Sequence, residues 1–456
     1  MSLPAYPAYR ESGVPWLRRV PAGWGVRRLR FLADIRPSGV DKHSLDGELP
    51  VRLCNYVDVY KNDRITDALA FLEATATPAE IERFAVRAGD VLITKDSETP
   101  DDIAAAALVE PSAAGVVCGY HLALLRPALG AISGAFLFWA FKAPETLAQC
   151  SVRAQGITRF GLSTGAIGDV WLPLPPPAEQ RAIAAFLDRE CDKIDALVAE
   201  QERLIALLKE KRQAVISHAV TKGLDPSAPM KNSGVAWLGQ VPAHWTVSPI
   251  KHVATFAGGG TPSRDVPAFW NGDVPWLSPK DMKAEVIGDS EERITAAGLA
   301  AGAASLIESD SVLIVVRSGI LRHTIPVAIN EQPVALNQDM KALRLDRSRC
   351  EPRFVLRLVQ GMNDLFLSLW LKQGATVESI EHEYLARTKI PLPPPAEQRA
   401  IAAFLDRECG RLDTLITEAE RAIALLKERR AALISAAVTG KIDVRGLVPA
   451  EAARAA

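Results

Sequence analysis

The sequence predicts an α/β protein built as a tandem repeat. Two mixed α/β globules are each closed by one long helix, and the two helices pack on each other. Three observations carry this. Pro173–Cys191 reads PLPPPAEQRAIAAFLDREC and recurs residue for residue at Pro391–Cys409, 218 positions later. A second matched pair lies upstream, Ser12–Trp24 (SGVPWLRRVPAGW) and Ser233–Trp245 (SGVAWLGQVPAHW), at an offset of 221. Between Ala178 and Val220 there is no glycine or proline, and apolar residues fall at heptad-like spacing. Self-similarity at a fixed period marks a repeated structural unit.

The first long helix is expected over 178–220, opened by Pro175–Pro177 because proline is tolerated at a helix start. Its stripe is Ile183, Phe186, Leu187, Ile194, Leu197, Leu204, Leu208 and Val215. The second, over 396–438, repeats it with Ile401, Phe404, Leu405, Leu412, Leu415, Leu426 and Leu433. Lys222-Gly223 and Gly440-Lys441 supply the stops. At 1.5 Å per residue each spans roughly 60 Å. The stripe is narrow and the remainder heavily charged, which favours mutual packing through Ile183, Leu187, Ile194, Leu197, Leu204, Leu208, Ile401, Leu405, Leu412, Leu415 and Leu426. Burial of Leu197 and Leu415, at equivalent positions, is a direct expectation of this pairing.

The segments 25–170 and 246–388 mix β-rich runs (Asp90–Thr94, Gly115–Cys118, Ser311–Val316) with helical patterns near Ser133–Phe141 and Pro352–Trp370. Fainter matches align them: Val91-Leu92-Ile93 with Val312-Leu313-Ile314, and Leu125-Arg126 with Leu343-Arg344. The expected division is a first globular domain at 1–172, a helix region at 173–225, a second globular domain at 226–390, a second helix region at 391–445, and a disordered tail at 446–456.

Composition excludes several classes. Of 456 residues, 48% are apolar and 23% charged, ordinary for a globular chain and unlike a disordered or collagenous one. A net charge of -1 excludes a uniformly basic binder but leaves room for local patches, as in the first 36 residues with Arg10, Arg18, Arg19, Arg27, Arg28, Arg30 and Arg36. None of the six cysteines forms a C-x-x-C pair, so free thiols in a reducing cytoplasm are expected. The first residues lack a signal-peptide pattern, and the apolar stretch Ala131–Phe141 is too short to span a bilayer, so a soluble, cytoplasmic protein is expected.

Catalytic signatures are scarce. There is no Walker motif, and Gly258-Gly259-Gly260 reads as a flexible turn because Ser263 breaks a G-x-G-x-x-G. Glu381-His382-Glu383-Tyr384 lacks the second histidine of a zinc site and reads as a solvated polar turn. No metal-ligand spacing and no metal site are expected.

The doubled PLPPPAEQRAIAAFLD segments and the S-G-V-x-W-L-x-x-V-P-x-x-W leaders resemble type I restriction-modification specificity subunits. Gly259–Ser263 followed by Phe269–Met282 is similar to a common opening of that family's target-recognition domains, and Gly89–Ser97 and Gly119–Leu122 have a similar look in the first globule. The resemblance covers essentially the whole chain. It implies two target-recognition domains held apart by two antiparallel coiled-coil helices, related by a pseudo-twofold. It implies a non-catalytic chain that reads double-stranded DNA at a bipartite, asymmetric site. Its partners would be two methyltransferase subunits, with a restriction-motor subunit as a further one. S-adenosylmethionine, ATP and Mg would sit on those partners and no cofactor on this chain.

The residues lead the same way. Identical helix starts suggest two copies of one docking surface, and unlike segments on a shared frame suggest two different ligands; Gly119-Tyr120-His121 aligns with Asn337-Gln338-Asp339. Polar and cationic side chains at strand ends and turns suit phosphates and base edges. The candidates are Lys95, Ser97, Tyr120, His121, Arg153 and Arg159 in the first globule. In the second they are Thr261, Ser263, Arg264, Lys280, Arg317, Arg322, Gln338 and Lys341. For any single arginine, ordinary solvated surface is the competing reading. Two other classes stay open: a scaffold that joins proteins without reading DNA, and a nuclease or methyltransferase whose site is unrecognised.

Overall fold

Strands such as Val91–Thr94 and Val312–Val315 are buried at every residue, so both faces of their sheets must be covered. The computed structural model, which describes residues 4–447 apart from 114, 303, 304 and 375, shows how. The chain divides into two units, residues 1–201 with 421–456 and residues 202–420. Each unit holds one variable segment, the start of one long helix and the end of the other.

In the first unit a five-stranded sheet runs in the order Ala33–Pro37, Leu122–Pro127, Val91–Thr94, Ala106–Val109, Arg64–Ile65, antiparallel except for its last pair. A three-stranded sheet orders Val116–Cys118, Leu49–Cys54, Leu72–Ala76. Alternation along the strands decides the layers. Val91, Ile93, Ala123 and Leu125 face a core shared with the helix Gly134–Lys142 and the long helix. Leu92, Leu122 and Leu124 face the three-stranded sheet.

The second unit repeats the plan. Its five strands are Ala254–Gly258, Met340–Leu345, Val312–Val315, Val327–Asn330 and Val286–Ile287, beside a sheet ordered Ala335–Leu336, Trp270–Leu277, Glu292–Ile294. The register is the same: Val91 pairs Leu125, and Val312 pairs Leu343. The helical pattern expected over 352–370 breaks at Met362 into Pro352–Gly361 and Asn363–Trp370.

The long helices are Pro177–Lys222 and Pro395–Val438. In the first unit Ile183, Leu187 and Cys191 share a core with Ile434, Ala437 and Val438, and Arg430 Nε lies 2.9 Å from Asp195 Oδ1. In the second, Ile216, Ala219 and Val220 share a core with Ile401, Leu405 and Cys409, and Arg212 Nε lies 2.9 Å from Asp413 Oδ1. Within each unit the two helix segments therefore run antiparallel, and the expected α/β class with paired long helices holds.

The stripe is not buried throughout. Ile183, Leu187, Ile194, Leu208, Ile401, Leu405 and Leu412 are buried, and Leu426 is half-buried. Leu197, Leu204 and Leu415 are 51%, 42% and 36% exposed, which corrects the expectation for them. Toward the helix ends the stripe joins the sheet and leader cores, while Ile194, Leu208 and Leu412 are buried outside those clusters. In the middle turns the Arg430–Asp195 and Arg212–Asp413 pairs occupy places where a continuous coiled-coil seam would put apolar knobs.

The identical Asp188 and Asp406 tie each helix to its globule through different partners. Asp188 accepts from Arg64 and from Trp139 Nε1 (2.8 Å). Asp406 accepts from Arg357 Nη2 (2.7 Å), and Arg357, 3% exposed, also grips Glu285 at 2.6 and 2.9 Å. Burial pushes the Glu285 carboxyl up, but Arg357 outweighs it and the net shift is down.

The six cysteines are free and buried, and burial pushes the Cys150, Cys191 and Cys350 thiols up to about 12. Of the expected disordered tail, Gly446 and Leu447 are ordered, Leu447 packing on the first core; the remainder lies outside the described residues. Among the described residues no helix is long and apolar enough to cross a membrane.

Two outcomes follow. Leu187→Ala should lower unfolding free energy by about 2–5 kcal/mol, whereas Leu197→Ala should stay within about 0.5 kcal/mol; denaturant titration separates them. Arg357→Ala should cost about 3 kcal/mol, the lower end for breaking a buried pair because both carboxylates are about a third exposed. Glu285 has its folded ionisation lowered, so its contribution is present above the ordinary carboxylate range and lost as pH falls through the lowered value. Acid melting of the wild type should show that loss, and Arg357→Ala should show less of it.

Candidate nucleic-acid interface

The doubled motifs place the candidate surfaces rather than form them. Trp24 Nε1 donates to Glu179 Oε2 at 2.8 Å, and Trp245 Nε1 to Glu397 Oε1 at 3.0 Å. Leader and helix start are thereby locked, and the strands that follow each leader lead into the sheets. The leader turns match too: Arg18 adopts φ 49° where the second leader has Gly239 at φ 62°. Several arginines of the basic N-terminal run are engaged within the unit: Arg28 and Arg30 with Asp169, Arg36 with Asp34, and Arg10 with the Trp24 carbonyl.

In the first unit the end of Val91–Thr94 and the turn before Leu122 bring together Lys95, Tyr120 and His121. Asp96 joins them: its Oδ2 lies 3.1 Å from Lys95 Nζ and 2.9 Å from His121 Nδ1. Lys95 also sits 4.6 Å over the Tyr120 ring, which is half exposed. Ser97 does not join this surface; it is 4% exposed in a short strand paired with Phe160, which corrects its assignment as a DNA contact. Arg153 donates to the Gln149 carbonyl at 2.8 Å, closing a helix end. Arg159 is exposed on the turn beside that short strand. The sequence reading missed Tyr56 and Tyr60, stacked 5.4 Å apart. Their spacing of four on a helix opened by the Asn55/Asp58 capping box is the signal that could have found them.

In the second unit two groups form. Thr261 Oγ1 bonds Gln338, Arg317 pairs with Asp339, and Arg322 pairs with Glu378 at 2.6 Å. Lys341 is half-buried near Glu381, and burial lowers its ammonium from the ordinary value. The second group centres on Arg264, which grips Glu292 and lies 4.0 Å over Trp270 and 5.4 Å from Trp276. Ser263 accepts from Trp270 Nε1 at 3.1 Å through its carbonyl, and Lys280 is exposed nearby, its charge helping to lower the Glu292 carboxyl after the larger effect of Arg264. The expected turn at 381–384 instead opens a short helix, His382–Arg387, with His382 edge-on to Phe256 at 4.8 Å.

The glycine run is no flexible turn. A Cβ on Gly259 would lie 2.1 Å from the Leu336 carbonyl oxygen and 2.2 Å from that of Asn337. Only glycine permits this backbone approach, which brings Thr261 to Gln338 and lets Gly260 O accept from Trp276 Nε1 at 2.9 Å. Among the described residues no cluster of ligands could hold a metal ion.

Residues 242–423 match the family model described as the type I restriction modification DNA specificity domain. Over 272 residues, 59% of this chain, the sequence is 30% identical to the type I restriction enzyme EcoR124I/EcoR124II specificity subunit of Escherichia coli, and the match spans 61% of that relative. Over 435 residues, 93% of this chain and 95% of the relative, it is 22% identical to the putative type I restriction enzyme MjaX specificity subunit of Methanocaldococcus jannaschii. A chain from a study of complex assembly and conformational transition of the type I R-M system superposes with a TM-score of 0.71 at 18% identity, covering 93% of this chain and 99% of its own. The HsdS subunit from Thermoanaerobacter tengcongensis gives 0.54 at 19%, covering 93% and 98%. The structural likenesses show the shared fold. Over these spans the chain is similar to type I restriction-modification specificity subunits.

Gly259→Ala should destabilise the second unit by about 1–3 kcal/mol, the usual scale for forcing atoms into a packed site. Gly258→Ala, where a Cβ meets nothing within 4 Å, should leave the melting temperature nearly unchanged.

Proposed function

We propose that the chain is the DNA-reading subunit of a type I restriction-modification complex. Each unit reads one half of a bipartite, asymmetric double-stranded site. The long helices dock two methyltransferase subunits, and a restriction-motor subunit is a further partner. The chain does no chemistry itself; S-adenosylmethionine, ATP and Mg belong to the partners, and the complex works in the cytoplasm.

One observation carries this reading: the two units share sheet order and register while their strand-end side chains differ. Tyr120 and His121 stand in one where Gln338 and Asp339 stand in the other. A frame repeated with two unlike surfaces fits two unlike half-sites. The identical helix starts fit two copies of one partner. The mechanism is positional. Cations and backbone amides hold phosphates and fix register, while side chains at the strand ends meet base edges. The half-exposed helix leucines, including Leu197 and Leu415, offer apolar surface for the docked subunits.

The test is selection of bound duplexes from a random pool by the chain co-expressed with its methyltransferase subunits. Two short half-sites with an unread gap are expected. Exchanging residues 246–388 for the matching segment of a relative should change one half-site and spare the other. Absence of any sequence preference would favour a scaffold, and a change in both half-sites would mean joint reading.

A further inference from the structure

The two units carry a carboxylate–nitrogen pair at the same position, with the carboxylate on opposite members of the pair. In the first, Lys95 N donates to the His121 carbonyl at 3.0 Å; in the second, Val316 N donates to the Asp339 carbonyl at 2.8 Å. The next residues, Asp96 and Arg317, lie across from Gly161 and Ser379 respectively. These matches keep the offsets of 221 and 218 found in the sequence repeats, so the positions are equivalent. At them the first unit places a carboxylate on Asp96 and an imidazole on His121, with Nδ1 2.9 Å from Oδ2. The second places a guanidinium on Arg317 and a carboxylate on Asp339, with Nε 2.6 Å from Oδ1.

In both pairs the carboxylate takes the inner nitrogen of its partner. Asp339 is itself fixed, since its Oδ2 accepts from Asn337 Nδ2 at 3.2 Å and its backbone N–H donates to Asn337 Oδ1 at 3.0 Å. Beyond the bonded Nδ1 and Nε, His121 carries Nε2 and Arg317 carries its two Nη. Arg317 is 53% exposed and His121 33% exposed at the side chain, and each pair is flanked by an exposed residue at the matched preceding position, Tyr120 or Gln338. A pair needed only for stability would work with the carboxylate on either member, so the frame leaves the nitrogen-bearing partner free for the ligand to set.

We propose that this cross-strand pair sets base preference in each unit, with the carboxylate as a positioning residue and its partner as the reader. The proposal rests on the DNA-reading function above. Two Nη donors in one plane match the N7 and O6 acceptors of guanine, so Arg317 reads a guanine. His121, bonded through Nδ1, presents the single atom Nε2 and reads a different base.

The experiment uses the full chain with its methyltransferase subunits in the selection from random duplexes. Arg317→Lys keeps the charge but loses the fork. It should cut guanine preference at one position of one half-site by roughly ten- to hundred-fold while the other half-site keeps its preference. Asp339→Asn should relax the same position only. The double change Asp96→Arg with His121→Asp installs the second pair in the first unit. It should create a guanine preference in the other half-site. Melting curves monitor the fold, and if the double variant does not fold, Arg317→Lys decides. A wild-type consensus left unaltered by Arg317→Lys and Asp339→Asn overturns the proposal and leaves the functional reading standing. A wild-type chain without any consensus overturns both.

Discussion

At the start of each long helix a glutamine is shut away from solvent, and three segments hang on it. Gln180 accepts from the Ser133 backbone N–H at 2.8 Å and donates to the Pro175 carbonyl at 2.9 Å. Gln398 accepts from Glu351 N at 2.8 Å and donates to the carbonyls of Pro393 and Arg349, both at 2.8 Å. A buried amide whose oxygen and nitrogen are both hydrogen-bonded is costly to disturb. It joins the proline run, the helix start and the N-terminal end of the helix that covers the main sheet. The preceding glutamate then locks the leader tryptophan onto the same corner. Glu-Gln in the repeated motif is thus a joint, and the sheet with its strand ends is oriented from it.

The joint also receives the end of a long helix. In the second unit a Cβ on Gly223 would sit 3.2 Å from the Trp245 ring and 3.4 Å from Glu397 Oε1, and Lys222 Nζ donates to the Leu238 carbonyl at 3.3 Å. In the first unit a Cβ on Gly440 would sit 3.1 Å from Trp24, Tyr9 donates to the Gly440 carbonyl at 3.0 Å, and Asp443 N donates to the Pro4 carbonyl at 2.7 Å. Both glycines have φ near +75°, so each ends its helix and lets the chain press on the leader without a clash. The last residues of the second helix thereby complete the unit that the first residues began.

Charge is handled differently at the joint and at the strand ends. Near the helices, the cations are buried or half-buried and multiply paired, as Arg357 is with Glu285 and Asp406, or Arg430 with Asp63 and Asp195. Such networks cost desolvation and hold geometry. At the strand ends of the second unit Arg317 and Arg322 are 53% and 65% exposed, and an exposed pair adds little to stability. The second kind leaves polar atoms facing water, where a ligand can compete for them.

The repeat, the α/β class and the helix starts were legible in the sequence because each depends on local pattern. Proline placement, a doubled motif and runs such as Val91–Ile93 need no knowledge of what they touch. Much of the candidate surface was legible as well, since Tyr120, His121, Arg317 and Gln338 fall next to those runs. What the sequence could not decide was contact. Leu197 and Leu415 keep the heptad spacing, yet which turns are buried depends on what packs against them in three dimensions. Ser97 looks like a loop serine until pairing with Phe160 hides it, and Gly259 looks flexible until the Leu336 carbonyl fills the space of its missing side chain. Asp96 and Asp339 gain their roles from partners 25 and 22 residues away along the chain. Spacing along a chain fixes which face a residue takes within its own element, but which atoms meet across elements is settled only when the sheets close.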